Sequence, residues 1–222
     1  MLTISNKAKA MPASPIRKLV PYAEAAKKRG VKVYHLNIGQ PDIASPKEAL
    51  EAVKNNTLKL IEYPHSAGIG TYRDGLAKYY QSININVTAS EINITTGGSE
   101  ALQIALAVTC NPDDEVIVME PFYTNYNALS LQNDVKLVPV STSIENGFAL
   151  PDVSEFEKYI TPRTKGIILC NPGNPTGSLY TKETIIKLGE IVKKHNLFLY
   201  SDEVYREFCY TDEPHFSAMH LE

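Results

Sequence analysis

The sequence is poor in cysteine, has no long apolar run and carries almost no excess charge. Its 222 residues contain three cysteines, Cys110, Cys170 and Cys209, whose spacing matches neither a metal site nor a redox pair. An odd number of scattered thiols is typical of a reducing compartment. No stretch approaches the ~20 apolar residues of a membrane span, and the N-terminus lacks the apolar core of a signal peptide. We therefore expect a cytoplasmic protein with no membrane partner.

The charge balance argues against binding to nucleic acid. The formal net charge is −3 and the isoelectric point lies near 6.0, and lysine and arginine gather only in short groups such as residues 27–29. Nucleic-acid binding needs a basic patch, so no such partner is expected. The hydrophobic share of 43% and the charged share of 21% are those of a globular chain that can bury a sizeable core.

The hydrophobic pattern becomes regular near residue 91. Before it, residues 1–12 have the character of a loose arm, and the pattern predicts helices over residues 15–29, over 46–55 and from 71 onward, with a strand over 31–39. After it, strands are expected over residues 91–96, 114–120, 135–140, 165–170 and 197–202, and helices over 99–110, 123–132, 152–160 and 181–195. Continuously apolar strands separated by helices predict an α/β fold with a mainly parallel sheet, covered by helices on both faces.

Two features follow the first strands of this regular part, where parallel sheets bind ligands. Gly97 and Gly98 precede a helix that opens at Ser99, and the free N–H groups of such a helix bind phosphate. A plain turn, with Ser99 as the cap and Glu100 favouring the helix dipole, explains the same residues. Tyr123 follows the next strand, where its ring can stack on a flat ligand or simply pack in the core.

Two more features follow the last two strands. The segment "CNPGNPTG" at 170–177 is a rigid loop that can aim the amide of Asn174 at a ligand oxygen, although an ordinary multiple turn uses the same residue types. Asp202 ends the last strand and Tyr205 follows it, so a carboxylate and a phenol lie close together. A helix N-cap role for Ser201 or Asp202 is the alternative, and Glu203 is expected to start that helix or to serve the structure.

Together these groups suit pyridoxal 5′-phosphate. They supply a phosphate cradle, an aromatic platform, an amide donor, a carboxylate and a phenol. The cofactor presents a phosphate, a flat ring, a phenolic oxygen and a pyridine nitrogen, and it needs an acidic partner at that nitrogen. Each feature is weak alone, but the set predicts one cofactor. No metal site is expected.

The order and spacing of four motifs then resemble a known family. The motifs are "LNIGQPD" at 36–42, "GGSEAL" at 97–102, "NPGNPTG" at 171–177 and "SDEVY" at 201–205. They are similar to those of the class I/II (fold type I) pyridoxal-phosphate-dependent aminotransferases, of the aspartate-aminotransferase-like kind. The resemblance implies an N-terminal arm and small-domain segment over residues 1–45 and an incomplete cofactor-binding large domain over 46–222, with the C-terminal part absent.

The resemblance also implies roles for the matching positions. The cofactor would be held by Gly98, Ser99 and Glu100 at its phosphate, Tyr123 on its ring, Asn174 and Tyr205 at its ring oxygen and Asp202 at its nitrogen. Gly39 would line the substrate pocket. Tyr63 would reach across a homodimer to the neighbouring subunit's phosphate, with Tyr72 as the nearby alternative.

One part of the family pattern is missing. The Schiff-base lysine of the family follows the "SDEVY" motif further along the chain, and this chain ends at Glu222. Lys165 starts a strand, and other lysines lie on a helix with solvated positions, so none is expected to replace it. We expect the parent protein to transfer an amino group between an amino acid and a 2-oxo acid, and the 222 residues alone to be inactive. The alternatives are a pyridoxal-phosphate-dependent β-lyase or decarboxylase on the same fold, or a non-catalytic regulatory homologue.

Overall fold

The computed structural model describes residues 2–221, with the backbone alone at residues 153 and 154. Its strands are β1 (Glu115–Glu120), β2 (Lys136–Ser141), β3 (Thr164–Cys170) and β4 (Phe198–Asp202). Its α-helices are α1 (Asn6–Ala10), α2 (Val20–Lys28), α3 (Lys47–Lys54), α4 (Gly70–Ser82), α5 (Gly98–Thr109), α6 (Asn125–Gln132), α7 (Val153–Glu157) and α8 (Lys182–Lys194). Short 3-10 helices span Arg17–Leu19, Ala89–Glu91, Ile144–Asn146 and Ala218–His220.

The strands form one parallel sheet in the order β2-β1-β3-β4. Strand β2 lies on one side of β1, whereas β3 and β4 lie on the other. The strand order therefore reverses between β1 and β3. In open α/β sheets, ligands bind beyond the carboxyl ends of the strands at such a reversal. The predicted α/β fold with a mainly parallel sheet is confirmed.

Different helices cover the two faces of the sheet. On one face, Val118 packs in a cluster with Leu106 of α5 and Leu129 of α6. On the other face, Ile117 packs in a cluster with Ile185 of α8 and with α7. Neighbouring residues of β1 thus point into opposite layers, as the two-residue period of a strand requires, and both are at most 1% exposed. Since burying one such side chain stabilises by about 1.5–3 kcal/mol, both layers hold the sheet.

Two expected strands are absent from the described structure. Residues 31–39 form no regular element, and residues 91–96 follow a 3-10 helix without joining the sheet. Ile92 instead packs in a small cluster with Ala77 of α4, and the Ile94 N–H donates to the Ala67 carbonyl at 3.0 Å. A strand needs a partner to satisfy its backbone groups, and neither segment has one among the described residues. Both predictions were wrong for this reason.

The expected loose arm over residues 1–12 is also partly ordered. The hydroxyl of Ser5 accepts from the Ala8 N–H at 3.0 Å and so caps α1. Lys7 donates to the Gln132 carbonyl at 3.0 Å and pairs with Asp134 at 2.7 Å. This helix therefore docks on the end of α6.

Within residues 2–221, no helix has the length and apolar character needed to cross a membrane.

Gly166 allows β3 and β4 to approach closely, and this generates a stability prediction. A Cβ at Gly166 would lie 2.5 Å from the Tyr200 ring and 2.6 Å from the Phe198 carbonyl oxygen. We expect Gly166→Ala to destabilise the chain by about 1–3 kcal/mol, because overpacking forces a backbone shift. Gly75 lies inside α4 with no atom within 4 Å of its added Cβ, so Gly75→Ala should stabilise by about 0.5–1 kcal/mol. Urea unfolding followed by circular dichroism measures both; equal stability of Gly166→Ala and the wild type would contradict the close approach.

Candidate cofactor site

The carboxyl ends of β3 and β4 bring two of the predicted motifs together. Cys170 and Asp202, the last residues of these strands, are register partners. The Asn171 N–H donates to the Asp202 carbonyl at 3.0 Å, so the pairing continues into the loop that follows β3. The loop "NPGNPTG" and the segment "SDEVY" therefore start side by side.

Asp202 carries a half-buried carboxylate that only neutral groups contact. Its Oδ2 accepts from the Tyr126 hydroxyl at 2.6 Å, and its Oδ1 accepts from the Val204 N–H at 3.3 Å. Among residues 2–221, no Lys, Arg or His forms an ion pair with it. Turns rather than a helix follow it, so the alternative of a helix N-cap is wrong. The carboxylate remains able to accept a hydrogen bond from a cation.

The surroundings of Asp202 suppress the ionisation of its neighbours. Burial, reinforced by nearby Cys170 and by the Asp202 charge, holds the pKa of the Tyr126 phenol far above its usual range. Burial and the Asp202 charge raise the pKa of the Cys170 thiol to about 11. Both groups are therefore neutral near pH 7, and Tyr126 remains a hydrogen-bond donor.

Asn174 and Tyr205 meet beside this carboxylate. The amide of Asn174 donates to the Tyr205 hydroxyl at 3.0 Å. Asn171, which is 1% exposed, fixes the loop because its side-chain oxygen accepts from the Tyr180 N–H at 3.0 Å. The loop is thus an anchored multiple turn, and the role of Asn174 at a ligand oxygen stays a prediction. The two groups that were expected at one ligand oxygen do lie together.

The helix N-terminus is open, as an anion site requires. Gly97 is the N-cap of α5 with φ +80°, and no side chain caps the helix, so the alternative of Ser99 as the cap is wrong. The carboxylate of Glu100 accepts from the Thr96 N–H at 2.5 Å and holds the turn. Gly98 and Asp202 both line an open groove of about 520 Å³. The N–H groups of the first turn are thus on the same side of the sheet as the carboxylate.

Aromatic rings follow β1 at the same edge. Tyr123 is half-buried and meets Tyr126 edge-to-face, with ring centroids 5.6 Å apart. Its hydroxyl accepts from the Asn125 amide at 2.8 Å. Phe122 stacks on Tyr126, with centroids 6.3 Å apart. Phe122 and Tyr123 both pack against the buried cluster that contains Tyr126. The core explanation therefore holds for Tyr123, and its role as a platform for a ligand ring stays a prediction.

Gly39, Tyr63 and Tyr72 form no described hydrogen bond with the residues at the carboxyl ends of the strands. Gly39 is exposed in the irregular stretch before α3, with open space around it. Tyr63 is fully exposed, and Tyr72 on α4 is 55% exposed. Their roles in substrate binding and in a dimer stay predictions.

The sequence analysis missed Tyr126, which contacts Asp202 directly. One signal was available: Tyr126 follows Tyr123 by three residues near the start of an expected helix, where such residues share a face. The contact itself joins α6 to β4 across 76 positions, and no local pattern encodes that.

Glu203 serves the structure, which is one of the two roles expected from the sequence. It accepts from the Ser201 hydroxyl at 2.8 Å, the Ser217 hydroxyl at 3.0 Å and the Ala218 N–H at 2.9 Å, and it also pairs with Arg206. The carboxylate thereby ties residues 217–218 back to the end of β4. No helix starts at Glu203 in the described structure.

Within residues 2–221, no three His, Cys, Asp or Glu side chains cluster as metal ligands would.

Comparison with known proteins identifies relatives of this chain. The family model described as "Aminotransferase class I and II" matches residues 31–222. An aspartate/prephenate aminotransferase of Thermus thermophilus is 33% identical over 219 residues, which make up 98% of this chain and 56% of that protein. A glutamate-pyruvate aminotransferase of Escherichia coli is 34% identical over 203 residues, which make up 90% of this chain and 50% of that protein. The chain spans about half the length of these curated relatives.

Solved structures agree with the sequence matches. An aspartate aminotransferase of Thermotoga maritima is 30% identical and superimposes with a TM-score of 0.91, covering 99% of this chain and 58% of that chain. An aspartate aminotransferase of Thermus thermophilus with maleate is 32% identical, with a TM-score of 0.89, covering 100% of this chain and 58% of that chain.

The resemblance that the four motifs indicated is confirmed. The matched residues 31–222 include all of these motifs and every strand of the sheet. Enzymes of this kind depend on pyridoxal phosphate, which is the expected cofactor. This chain belongs to the class I and II aminotransferase family.

Proposed function

We propose that this chain provides the cofactor-binding part of an enzyme that transfers an amino group between an amino acid and a 2-oxo acid. One observation carries the proposal. The Asp202 carboxylate lies at the carboxyl end of β4, is held by Tyr126 and Val204, and has no cationic partner among the described residues. A half-buried charge of this kind is costly unless something pairs with it, and a pyridinium nitrogen is a fitting partner.

The remaining groups fit the same cofactor. Asn174 and Tyr205 would bind the ring oxygen, because the amide and the phenol already lie 3.0 Å apart. Tyr123 would lie against the ring. Gly98, Ser99 and Glu100 would present the first-turn N–H groups of α5 to the phosphate, where the helix dipole favours an anion.

The chemistry follows from what these side chains hold in place. Pyridoxal phosphate, when bound, supplies an electron sink for negative charge at the substrate's Cα. Asp202 would keep the ring nitrogen protonated, since a charge-assisted hydrogen bond in a dry site favours the charged form. Asn174 and Tyr205 would donate to the ring oxygen and favour its anion. The sheet edge thus orients the ring between one acidic and two donor groups.

We also propose that two copies of the chain assemble into a homodimer. Tyr63 would then reach the phosphate of the neighbouring subunit, with Tyr72 as the alternative, and Gly39 would line the substrate pocket. The support is surface chemistry, because many large apolar side chains between residues 34 and 72 are exposed. These are Tyr34, Leu36, Ile38, Ile43, Leu50, Val53, Leu58, Leu60, Ile61, Tyr63, Ile69 and Tyr72. Exposed apolar surface on this scale is typical of an interface.

Two further features belong to this proposal. Residues 1–45 would form the arm and small-domain segment, and residues 46–222 part of the large domain. The three cysteines are free thiols, which suits a protein of the cytoplasm. The lyase, decarboxylase and regulatory alternatives gain no support, since the named relatives are aminotransferases.

One prediction concerns the 222-residue chain by itself. Lys165 lies at the amino end of β3, opposite the proposed site, and no described lysine hydrogen-bonds to Asp202, Asn174 or Tyr205. We expect the purified chain with added pyridoxal phosphate to transfer amino groups no faster than free pyridoxal phosphate. Chromatographic assay of amino acid and 2-oxo acid pairs measures this, and a rate well above that of the free cofactor contradicts it.

Another prediction tests the role of Asp202. The probe is pyridoxamine 5′-phosphate, which lacks the aldehyde that would react with surface lysines. We expect Asp202→Asn to weaken its binding about 10- to 100-fold, because a hydrogen bond to a charged group is worth about 1.5–3 kcal/mol. The unliganded variant should lose less than about 1 kcal/mol of stability, since an unpaired half-buried charge is also removed.

A matched control makes this result specific. Asp212 is exposed on the segment after β4, so Asp212→Asn removes the same charge without touching the site. Fluorescence titration should give the wild-type affinity for that variant. Equal affinity of Asp202→Asn and Asp212→Asn would contradict the proposed site.

A further inference from the structure

The Tyr126 hydroxyl is the one side-chain group within residues 2–221 that hydrogen-bonds to the Asp202 carboxylate. It donates to Oδ2 at 2.6 Å. Tyr126 is only 1% exposed and packs against the rings of Phe122 and Tyr123. Its ring therefore cannot swing away without opening the core around α6.

We propose that Tyr126 is a positioning residue that keeps Asp202 charged and oriented toward the cofactor nitrogen. Val204 donates from the backbone to Oδ1, so one donor holds each carboxylate oxygen. Two fixed donors set the plane of the carboxylate and leave lone pairs on it for a third donor. The inference rests on the proposed placement of the cofactor at Asp202.

The effect of this hydrogen bond has a definite sign. The proton between Asp202 and the ring nitrogen can sit on the nitrogen, giving an ion pair, or on the carboxylate, giving a neutral pair. A hydrogen bond donated to a carboxylate favours its charged form. Tyr126 therefore favours the ion pair, and it does so across the working pH range because its phenol remains neutral. Cys170, also neutral, adds no competing charge.

Replacing Tyr126 by Phe tests this directly. We expect Tyr126→Phe to move the ion-pair equilibrium about tenfold or more toward the neutral pair, as the loss of one charge-assisted hydrogen bond implies. With ¹⁵N-labelled pyridoxamine 5′-phosphate, the ring-nitrogen NMR shift should move toward the value of unprotonated pyridine. The affinity should also fall about tenfold.

Tyr200→Phe is the matched control. Tyr200 is buried on β4, two residues before Asp202, and its hydroxyl bonds to Thr109 at 2.6 Å rather than to the site. This variant also loses one buried hydrogen bond, so it should lose comparable stability and leave the ring-nitrogen shift unchanged. A shift that stays at the wild-type value in Tyr126→Phe would overturn the proposal, and so would equal movement in both variants.

The unsubstituted chain offers an independent measurement if Tyr126→Phe does not fold. The buried Tyr126 hydroxyl proton should give a slowly exchanging downfield NMR resonance, which Asp202→Asn weakens or removes. Exchange of that proton at the rate of an exposed phenol would overturn the proposal. Failure of pyridoxamine 5′-phosphate to bind the wild type at all is a different outcome, since it would contradict the proposed cofactor site and this inference with it.

Discussion

Parallel pairing of β3 with β4 is the constraint on which the site depends. The pairing places Cys170 directly beside Asp202 and carries on through the hydrogen bond from Asn171. Gly166 makes the close approach possible, because a side chain there would strike β4. With the strands in this register, Asn174 and Tyr205 meet although 31 positions separate them. Neither motif could form the site alone.

The electrostatics of the site follow from that arrangement. Asp202 ends a strand beside a buried phenol and a buried thiol, both of which remain neutral. The only donors to its carboxylate among the described residues are uncharged. The fold thus holds this carboxylate at the carboxyl end of β4, while the open first turn of α5 offers N–H groups to an anion. In the proposed function, these two sites would take the cationic and the anionic end of one cofactor.

The parts of the fold and of the candidate site that the sequence predicts are those set by residues close together along the chain. The apolar runs at 114–120, 135–140, 165–170 and 197–202 became β1 to β4, because buried parallel strands are apolar throughout. Residues 31–39 and 91–96 have similar runs but no partner strand in the described structure, and pairing is not written in a single segment. The hydrogen bond of Tyr126 escaped prediction for the same reason, since it depends on how closely α6 packs on the sheet. The sequence motifs identified Asp202 and Asn174 as candidate site residues, because a position at the end of an apolar strand can be read from the neighbouring sequence.

The most direct test of the account is a crystal structure of this chain with pyridoxamine 5′-phosphate. The account predicts the ring nitrogen at about 2.7–3.2 Å from the Asp202 carboxylate, with the phosphate at the first turn of α5 and the ring oxygen facing Asn174 and Tyr205. A cofactor bound at another part of the surface would contradict it. So would a ring turned so that the nitrogen points away from Asp202.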